Sequence, residues 1–277
     1  MRLRPMPVVM ISTLTHRGSR AALEALSLGA VDCVGKPEHG GFDEAFEYLP
    51  DLLLAAANAR LGAGGQKSGL KPPEEFRWNG RSVFIGSSTG GVDALETLLT
   101  GFPQNCPPTL ITQHMPASFL SSFAARLDPR IAPSLKLAET GDPLLPGRVY
   151  LAPGGDYHLT VVGDDQPRCK LSAGDKRSGH RPSVDIMFES ALPIAERSIA
   201  VILTGMGRDG AEGMLALRRS GALCIVQDEA TSVVYGMPRV AMENGGAEAA
   251  FPLQTISREI LKLAEKRPTS AASEALG

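Results

Sequence analysis

Residues 83–91 read Val-Phe-Ile-Gly-Ser-Ser-Thr-Gly-Gly, and the fold of the chain is organised around this stretch. Its three leading apolar residues predict a short buried strand, and the glycine-rich run after them predicts a tight turn. Apolar residues then recur at helical spacing from Val92 to Leu99, which predicts a helix. Ser88 lies at the corner between Gly86 and Gly90, and so matches the G-x-S-x-G pattern of serine nucleophiles. Glycine-rich turns before helices also bind phosphate, so this stretch alone leaves both interpretations open.

The chain after residue 81 repeats this alternation of strand and helix. Apolar runs predict strands at 109–112, 149–152, 158–161, 200–204 and 222–226, and amphipathic patterns predict helices at 119–127, 184–195, 211–220 and 256–263. Such alternation is typical of a parallel sheet with helices on both faces. The sequence Pro-Gly-Gly-Asp at 153–156 predicts a hairpin between its flanking strands, and 170–182 predicts a polar loop. We therefore predict a doubly wound, mostly parallel, Rossmann-like α/β domain at residues 81–267.

The first 57 residues predict a smaller β-α-β-α unit. Strands are expected at 7–12 and 31–34, and helices at 19–28 and 42–60. Two strands are too few for an independently stable sheet. Glycine and proline recur without apolar periodicity from residue 58 to 80, which predicts a linker. Trp78, at the end of this linker, is expected to pack onto the second domain, and residues 268–277 are expected to form a disordered tail.

Composition narrows the class of protein. The 277 residues are 43% hydrophobic and 21% charged, with a net charge of −2, so charge gives no argument for binding nucleic acid or an anionic membrane. No apolar run approaches the roughly 20 residues of a membrane span, and no charged-then-apolar leader precedes the fold. We therefore expect a cytoplasmic protein without membrane insertion. The four cysteines are scattered and are expected to be buried thiols. The five histidines show no ligand spacing, so no metal or other cofactor is expected.

Three polar residues each follow an apolar strand: Ser88, His114 and Asp209. The carboxyl ends of parallel strands form the edge at which such sheets bind ligands. A serine nucleophile needs a base to take its proton and a carboxylate to orient that base. The three residues therefore predict a catalytic triad, in an order unlike the Ser-Asp-His order of α/β-hydrolases. Two alternatives stay open, namely a core role for His114 and a helix-capping role for Asp209.

Several runs of the second domain resemble one family, the chemotaxis response-regulator protein-glutamate methylesterases (CheB family). The runs are Ile85-Gly-Ser-Ser-Thr-Gly-Gly91, Gln113-His-Met-Pro116, His180-Arg-Pro-Ser-Val-Asp185, Leu203-Thr-Gly-Met-Gly-Arg-Asp-Gly210 and Tyr235-Gly-Met-Pro-Arg239. They span most of residues 81–263, in order. The chain departs from the family where Ser87 replaces a frequent alanine and Arg208 replaces a frequent asparagine.

The resemblance implies a function and a role for each site residue. Ser88 would be the nucleophile, His114 the general base and Asp209 the orienting carboxylate. Met206 is implied as an oxyanion-hole backbone donor, with Thr89 and His180 beside the oxyanion or substrate. The implied activity is hydrolysis of glutamyl methyl esters, and deamidation of glutamines, on the cytoplasmic domain of a methyl-accepting chemoreceptor.

The first segment resembles the second half of a response-regulator receiver domain. The resemblance rests on Met6-Pro-Val-Val-Met-Ile-Ser12 and on the run from Ala25 to Pro37, and it implies that Ser12 and Lys36 would contact a phosphoryl group. The family's phosphoacceptor aspartate should precede Ser12, yet none of the eleven residues before Ser12 is acidic. We therefore expect an incomplete receiver without a phospho-switch, and a histidine kinase as phosphodonor only if a full receiver exists.

Three other functions compete with this hypothesis. A nucleotide-binding loop at 86–91 would predict a carboxylate about 20 residues on, and residues 105–115 contain none. A serine hydrolase of small esters or peptides would share the triad and differ only in substrate. An inert regulator would follow if the partial receiver left an unpaired sheet edge prone to association.

Overall fold

The computed structural model describes residues 6–13, 16–36, 46, 48–59, 72–73 and 75–266. Within them lies a seven-stranded sheet whose pairings are all parallel. Its strands are β3 (Ser82–Ser87), β4 (Thr109–Gln113), β5 (Ser134–Leu137), β6 (Arg148–Leu151), β9 (Ser198–Ile202), β10 (Leu223–Gln227) and β11 (Ala249–Phe251). The predicted doubly wound α/β fold is therefore confirmed.

The order of the strands fixes where a site can form. Across the sheet they run β11-β10-β9-β3-β4-β6-β5. From β3 the chain first builds outward through β4 to β5 and β6, and it later returns to the other side of β3 with β9. The order therefore reverses at β3, and a crevice opens at the carboxyl ends of the strands at such a reversal. The turn after β3 lies at this point.

Alternate residues of each strand face opposite sides of the sheet, and each side has its own hydrophobic core. One side is covered by α3 (Gly91–Leu99), α4 (Ala117–Leu127) and α8 (Leu253–Ala264). The other side is covered by α5 (Val184–Ser190), α6 (Ala211–Arg219) and α7 (Met237–Glu243). In β3, Val83 and Ile85 contribute to the first core and Phe84 to the second. Burial on both faces explains why the strands read as continuous apolar runs.

The predicted hairpin around residues 153–156 is wrong. The strand before this turn, β6, pairs in parallel with β4 and β5 in the main sheet. The strand after it, β7 (Tyr157–Val162), pairs antiparallel with β8 (Arg168–Ala173), which occupies part of the predicted polar loop. Gly154 and Gly155 both have a φ of 71°, so the predicted turn exists. It leads the chain away from the main sheet, and β7 does not pair with β6.

The N-terminal segment forms a small β-α-β unit. β1 (Val9–Thr13) pairs in parallel with β2 (Asp32–Lys36), and α1 (His16–Ser27) connects them. Leu23 and Leu26 of α1 are buried and belong to the core on the α3–α4 side of the large sheet. Arg126 of α4 also donates a 3.2 Å hydrogen bond to the Leu23 carbonyl. The small unit is thus attached to the large one through its helix.

Several predicted boundaries differ from those of the structure. The predicted helix at 42–60 is described only as α2 (Leu49–Ala57), because residues 42–45, 47 and 60 lie outside the described residues. The same holds for residues 60–71 and 74 of the predicted linker and for the predicted tail at 268–277. The helix predicted at 184–195 divides into α5 and a 3-10 helix at Leu192–Arg197. Another 3-10 turn, Asp128–Arg130, follows α4, and α7, β5 and β11 were not predicted.

Two further predictions concern Trp78 and the cysteines. The Trp78 indole N–H donates to the Arg81 carbonyl at 2.6 Å, and its backbone bridges to Glu265, so it does pack onto the second unit. All four cysteines are buried and free, as expected. Across the described ranges, no helix combines the length and apolar character needed to cross a membrane.

Candidate active site

Ser88 lies in the turn between β3 and α3, at the reversal of the strand order. Its N–H donates to the Thr204 carbonyl at 3.1 Å, and its own carbonyl accepts from Gly91 at 2.7 Å. A Cβ at Gly205 would lie 2.8 Å from the Ser88 Cβ, so only glycine lets the loop after β9 approach this closely. Ser88 is half-buried, and it lines a narrow crevice together with Gln113 and Met115. The serine is therefore held rigidly by its backbone while it remains open to a small group.

His114 follows the neighbouring strand β4 and is tied to the Ser88 turn by the backbone. Its N–H donates to the Ser87 carbonyl at 3.0 Å. The Gln113 side-chain amide donates to the carbonyls of both Ser88 and His114, at 3.0 and 3.1 Å, and its oxygen accepts from Ser87 Oγ at 2.6 Å. Gln113 thus fixes the relative position of these two turns. Apart from the presence of Gln113 in a family motif, no sequence pattern indicates this role.

The His114 ring has one bonded and one free nitrogen. Nε2 lies 2.8 Å from Asp209 Oδ2, and the two side chains are only 5% and 1% exposed. In the neutral form of His114, Nε2 carries the proton and Nδ1 keeps its lone pair, because an ionised carboxylate only accepts. Nδ1 is buried and has no hydrogen-bond partner among the described residues, Ser88 Oγ included. The ring is therefore oriented by Asp209 and has a basic nitrogen available.

Asp209 is held by the start of α5. Ser183 Oγ donates to Oδ1 at 2.8 Å, and the N–H groups of Val184 and Asp185 donate at 2.7 and 3.1 Å. Burial alone would raise the pKa of Asp209, but the hydrogen bond and positive charge of His114, with the donors from Val184 and Ser183, hold the pKa below its ordinary value. Asp209 therefore stays ionised. Helix capping was the alternative role for Asp209. Its carboxylate does accept hydrogen bonds from N–H groups at the start of a helix, but that helix is α5.

Asp185 lies directly behind this carboxylate. Its Oδ1 accepts from the Gly213 N–H at 2.8 Å. Burial raises the pKa of Asp185 to about 6, the Gly213 hydrogen bond opposes this, and the charge of Asp209 adds to it. Sequence reasoning did not assign a role to Ser183 or Asp185, although both lie in the run 180–185.

His180 lies face to face with His114. The ring centroids are 3.7 Å apart and the planes differ by 9°. The pKa of His180 is lowered to about 3, first by burial and next by the charge of His114. The structure therefore brings His180 against the base instead of leaving it in a solvated loop.

Met206 and Thr89 lie on either side of the Ser88 turn. The loop of Met206 begins at Gly205, whose carbonyl accepts from Gly236 and Met237 at 3.1 and 2.9 Å. No acceptor for the backbone N–H of Met206 or Thr89 is present in the described part of the chain.

The N-terminal unit reaches the same turn through Asp32, which sequence reasoning missed. Asp32 Oδ2 accepts from Thr89 Oγ1 at 2.5 Å, and its other oxygen accepts from the Cys33 N–H at 2.7 Å. Burial raises the pKa of Asp32 to about 6, while the Thr89 and Cys33 hydrogen bonds oppose the rise. Asp32 also lines the Ser88 crevice.

Ser12 and Lys36 lie in the small sheet, away from these contacts. In the β1–β2 register Ser12 is opposite Gly35, and Thr13 is opposite Lys36, whose side chain is exposed. The two predicted phosphoryl contacts are thus at neighbouring strand ends. Among the described residues, no three His, Cys, Asp or Glu side chains form a group that could hold a metal ion.

Comparisons with known proteins point to one group. Residues 83–260 match the family described as CheB methylesterase. The protein-glutamate methylesterase/protein-glutamine glutaminase 1 of Caulobacter vibrioides is 52% identical over 272 residues, covering 96% of this chain and 79% of its own length. The corresponding Agrobacterium fabrum protein is 50% identical over 279 residues, with 98% and 79% coverage. The crystal structure of the Thermotoga maritima CheB methylesterase catalytic domain matches with a TM-score of 0.64 and 39% identity, covering 67% of this chain and 99% of that one.

Proposed function

The chain belongs to the CheB methylesterase family, as its motifs predicted, and on that basis we propose that it is a serine-type protein-glutamate methylesterase and protein-glutamine deamidase. One observation carries the proposed mechanism. His114 Nε2 bonds Asp209 at 2.8 Å, while Nδ1 is free at the strand end next to that of Ser88. This is the arrangement that a serine nucleophile needs from its base.

In the first half-reaction, Ser88 Oγ bonds to the carbonyl carbon of a glutamyl methyl ester and its proton passes to His114 Nδ1. The carbonyl oxygen becomes negatively charged, and the N–H groups of Met206 and Thr89 donate to it. One such donor is worth about 10²–10³ in rate. The carbon–methoxy bond then breaks, and the Nδ1 proton leaves with methoxide as methanol. Catalytic hydrogen bonds often tighten only once substrate is bound, which is how we interpret the absent Ser88–His114 bond.

In the second half-reaction, water replaces the serine. His114 Nδ1 takes a proton from water, the hydroxyl bonds to the acyl carbon, and the bond to Ser88 breaks as its oxygen regains the proton. The product is a glutamate side chain. Asp209 stays ionised throughout and stabilises the His114 imidazolium. A glutamine side chain follows the same path with ammonia as the leaving group.

We place this reaction on the cytoplasmic domain of a methyl-accepting chemoreceptor, which puts the enzyme in the cytoplasm. Arg208 is exposed beside Asp209, where it is available to contact the acidic surface of such a substrate. We further propose that the N-terminal unit leaves the site open, since Ser88 is half-buried and not fully covered beside Asp32. Residues 81–277 alone should then have a rate within about tenfold of the full chain, and a much faster fragment would show that the unit occludes the site.

The test is methanol release from a methylated receptor domain. Ser88→Ala should lower the rate by at least about 10⁴ without lowering the melting temperature. Ser220→Ala is the control, since it removes an exposed hydroxyl after α6 and should keep the activity. A small activated ester serves as second substrate. If the wild type cleaves only the small ester and Ser88→Ala loses that activity, the mechanism stands and the receptor substrate is wrong.

A further inference from the structure

The stack of His114 and His180 involves a face of the His114 ring and not its edge nitrogens. The two rings are nearly parallel, with centroids 3.7 Å apart. The hydrogen bond to Asp209 uses one edge nitrogen of His114, and the other edge nitrogen is unpaired. His180 therefore touches a face of the base and competes with neither of its hydrogen bonds.

The backbone holds His180 at this position through a two-residue turn. Arg177 and His180 exchange backbone hydrogen bonds of 3.1 and 2.9 Å. The residues between them, Ser178 and Gly179, have φ values of 53° and 82°, as the tightest hairpin turns require. Arg177 is itself fixed by a two-pronged ion pair with Glu189, at 2.7 and 3.1 Å. Such a turn leaves the histidine little freedom to move.

The residue after His180 anchors the other side. Arg181 donates to the carbonyls of Gly155 and Gly174, both at 2.8 Å, and to the Asp156 carboxylate at 2.8 Å. These contacts connect the histidine loop to the turn after β6 and to the end of β8. The ring of His180 is therefore fixed from both directions along the chain.

The charges around the stack keep His180 neutral. Burial comes first in lowering its pKa to about 3, the charges of His114 and Lys176 act in the same direction, and Asp209 opposes them. The imidazole that faces His114 thus carries no charge at neutral pH. A neutral aromatic face beside a cation is attractive, whereas a second imidazolium would repel it.

We propose that His180 is a positioning residue for the esterase reaction: its neutral ring, stacked on His114, fixes the plane of the base between Asp209 and Ser88 and stabilises the imidazolium that forms when Ser88 loses its proton. The inference rests on the proposed function. It assigns a role to the ring face of His180 and none to its nitrogens. A phenylalanine, which keeps the face and has no nitrogen, should therefore replace it, whereas alanine should not.

The experiment compares His180→Ala and His180→Phe in the full chain. In methanol release, His180→Ala should lower kcat about 10–100-fold with KM changed less than about threefold, because a misoriented base slows chemistry and not binding. His180→Phe should recover most of kcat. Lys170→Ala, at an exposed position of β8, is the matched control and should behave like the wild type.

A second readout does not depend on turnover. The His114 Nε2 proton, hydrogen-bonded to Asp209, should give a low-field proton resonance that disappears in Asp209→Asn. It should weaken or broaden in His180→Ala and persist in His180→Phe. If the wild type lacks esterase activity but the resonance follows this pattern, the proposed function fails and the positioning role stands.

Two results would overturn the inference. If His180→Phe is as slow as His180→Ala while both keep the wild-type melting temperature, the nitrogens of His180 matter and the residue contacts substrate instead. If His180→Ala retains both the wild-type kcat and the resonance, the stack does not position the base.

Discussion

Two parallel sheets occur in the described part of this chain, and they differ in how they are supported. The seven-stranded sheet is covered on both faces by helices and buries its central strands β3, β4, β9 and β10 almost completely. The β1–β2 pair leaves Ile11 42% exposed, and Leu28 after α1 is 67% exposed. The pair is held instead by Leu23 and Leu26, which are buried in the core of the larger unit. Both sheets end in polar residues, but only the larger one has the rigidity to keep those residues in a fixed geometry.

A polar residue at a strand end is therefore not enough for chemistry. Ser88, His114 and Asp209 are each fixed by backbone hydrogen bonds or by a neighbouring side chain at the point where the strand order reverses. Ser12 and Lys36 lie at the ends of a two-stranded pair. Function in this chain should therefore depend on the large sheet, and the small unit should act on it only through contacts such as that of Asp32 with Thr89.

The largest expected effect is that of breaking the carboxylate–imidazole pair in the large sheet. Asp209→Asn should lower kcat/KM by about 10⁴, since the amide favours the wrong His114 tautomer. Methanol release measures the loss, and circular dichroism checks the fold. Asp165→Asn, at an exposed position far from the site, is the control. A loss smaller than about tenfold would mean that Asp209 is a structural carboxylate.

Substitutions that create a cavity in the large unit or in the N-terminal unit should show whether the two units differ in stability. Leu98→Ala removes a fully buried side chain of α3 and should lower the free energy of unfolding of the large unit by about 2–5 kcal/mol. Leu23→Ala, an equivalent change in α1, should increase hydrogen exchange in residues 16–36 while shifting the main denaturant transition by less than half as much. Equal shifts would show that the two units unfold as one.

A smaller effect is expected from pH, which should change the strength of the Asp32–Thr89 contact between the two units. Burial raises the pKa of Asp32 to about 6, so between about pH 4 and pH 6 the folded chain binds more protons at this carboxyl than the unfolded chain does. The attachment of the N-terminal unit should accordingly weaken as pH rises through this window and change little above it. The total is at most about 3 kcal/mol.

Hydrogen exchange of residues 16–36 at several pH values measures this dependence. Asp32→Asn should remove the slope and protect the segment better at neutral pH, because the amide carries no negative charge whose burial is unfavourable. Asp51→Asn, on the exposed side of α2, should keep the wild-type slope. The same slope in Asp32→Asn would assign it to another group.

Local patterns predicted most of the large sheet. The run from Val83 to Gly91 gave its strand, turn and helix, and the apolar run at 200–204 gave the central strand beside it. The three triad candidates were found because each follows such a strand, Ser88 and His114 directly and Asp209 after a short loop. What failed was pairing: β6 and β7 are separated by a good turn, yet β6 is buried on both faces and belongs to the parallel sheet. Proximity in sequence favours a hairpin between β6 and β7, whereas burial of β6 on both faces favours its place in the parallel sheet.

Contacts between distant residues were also out of reach. Asp32 meets Thr89 across 57 positions, and His180 meets His114 from a loop whose pattern shows only that it is polar. Neither contact has a local periodicity. The free Nδ1 of His114 follows from the Asp209 bond to Nε2, which residue spacing does not specify.

The central claim is that Ser88 is the nucleophile activated by the His114–Asp209 pair. A fluorophosphonate that bonds covalently to activated serines, followed by peptide mass mapping, tests it on the full chain without reference to the natural substrate. We expect one labelled residue, Ser88, and we expect labelling to be at least about 100-fold slower in Asp209→Asn. Label on Ser87 or elsewhere, or equal labelling rates in the wild type and Asp209→Asn, would contradict it.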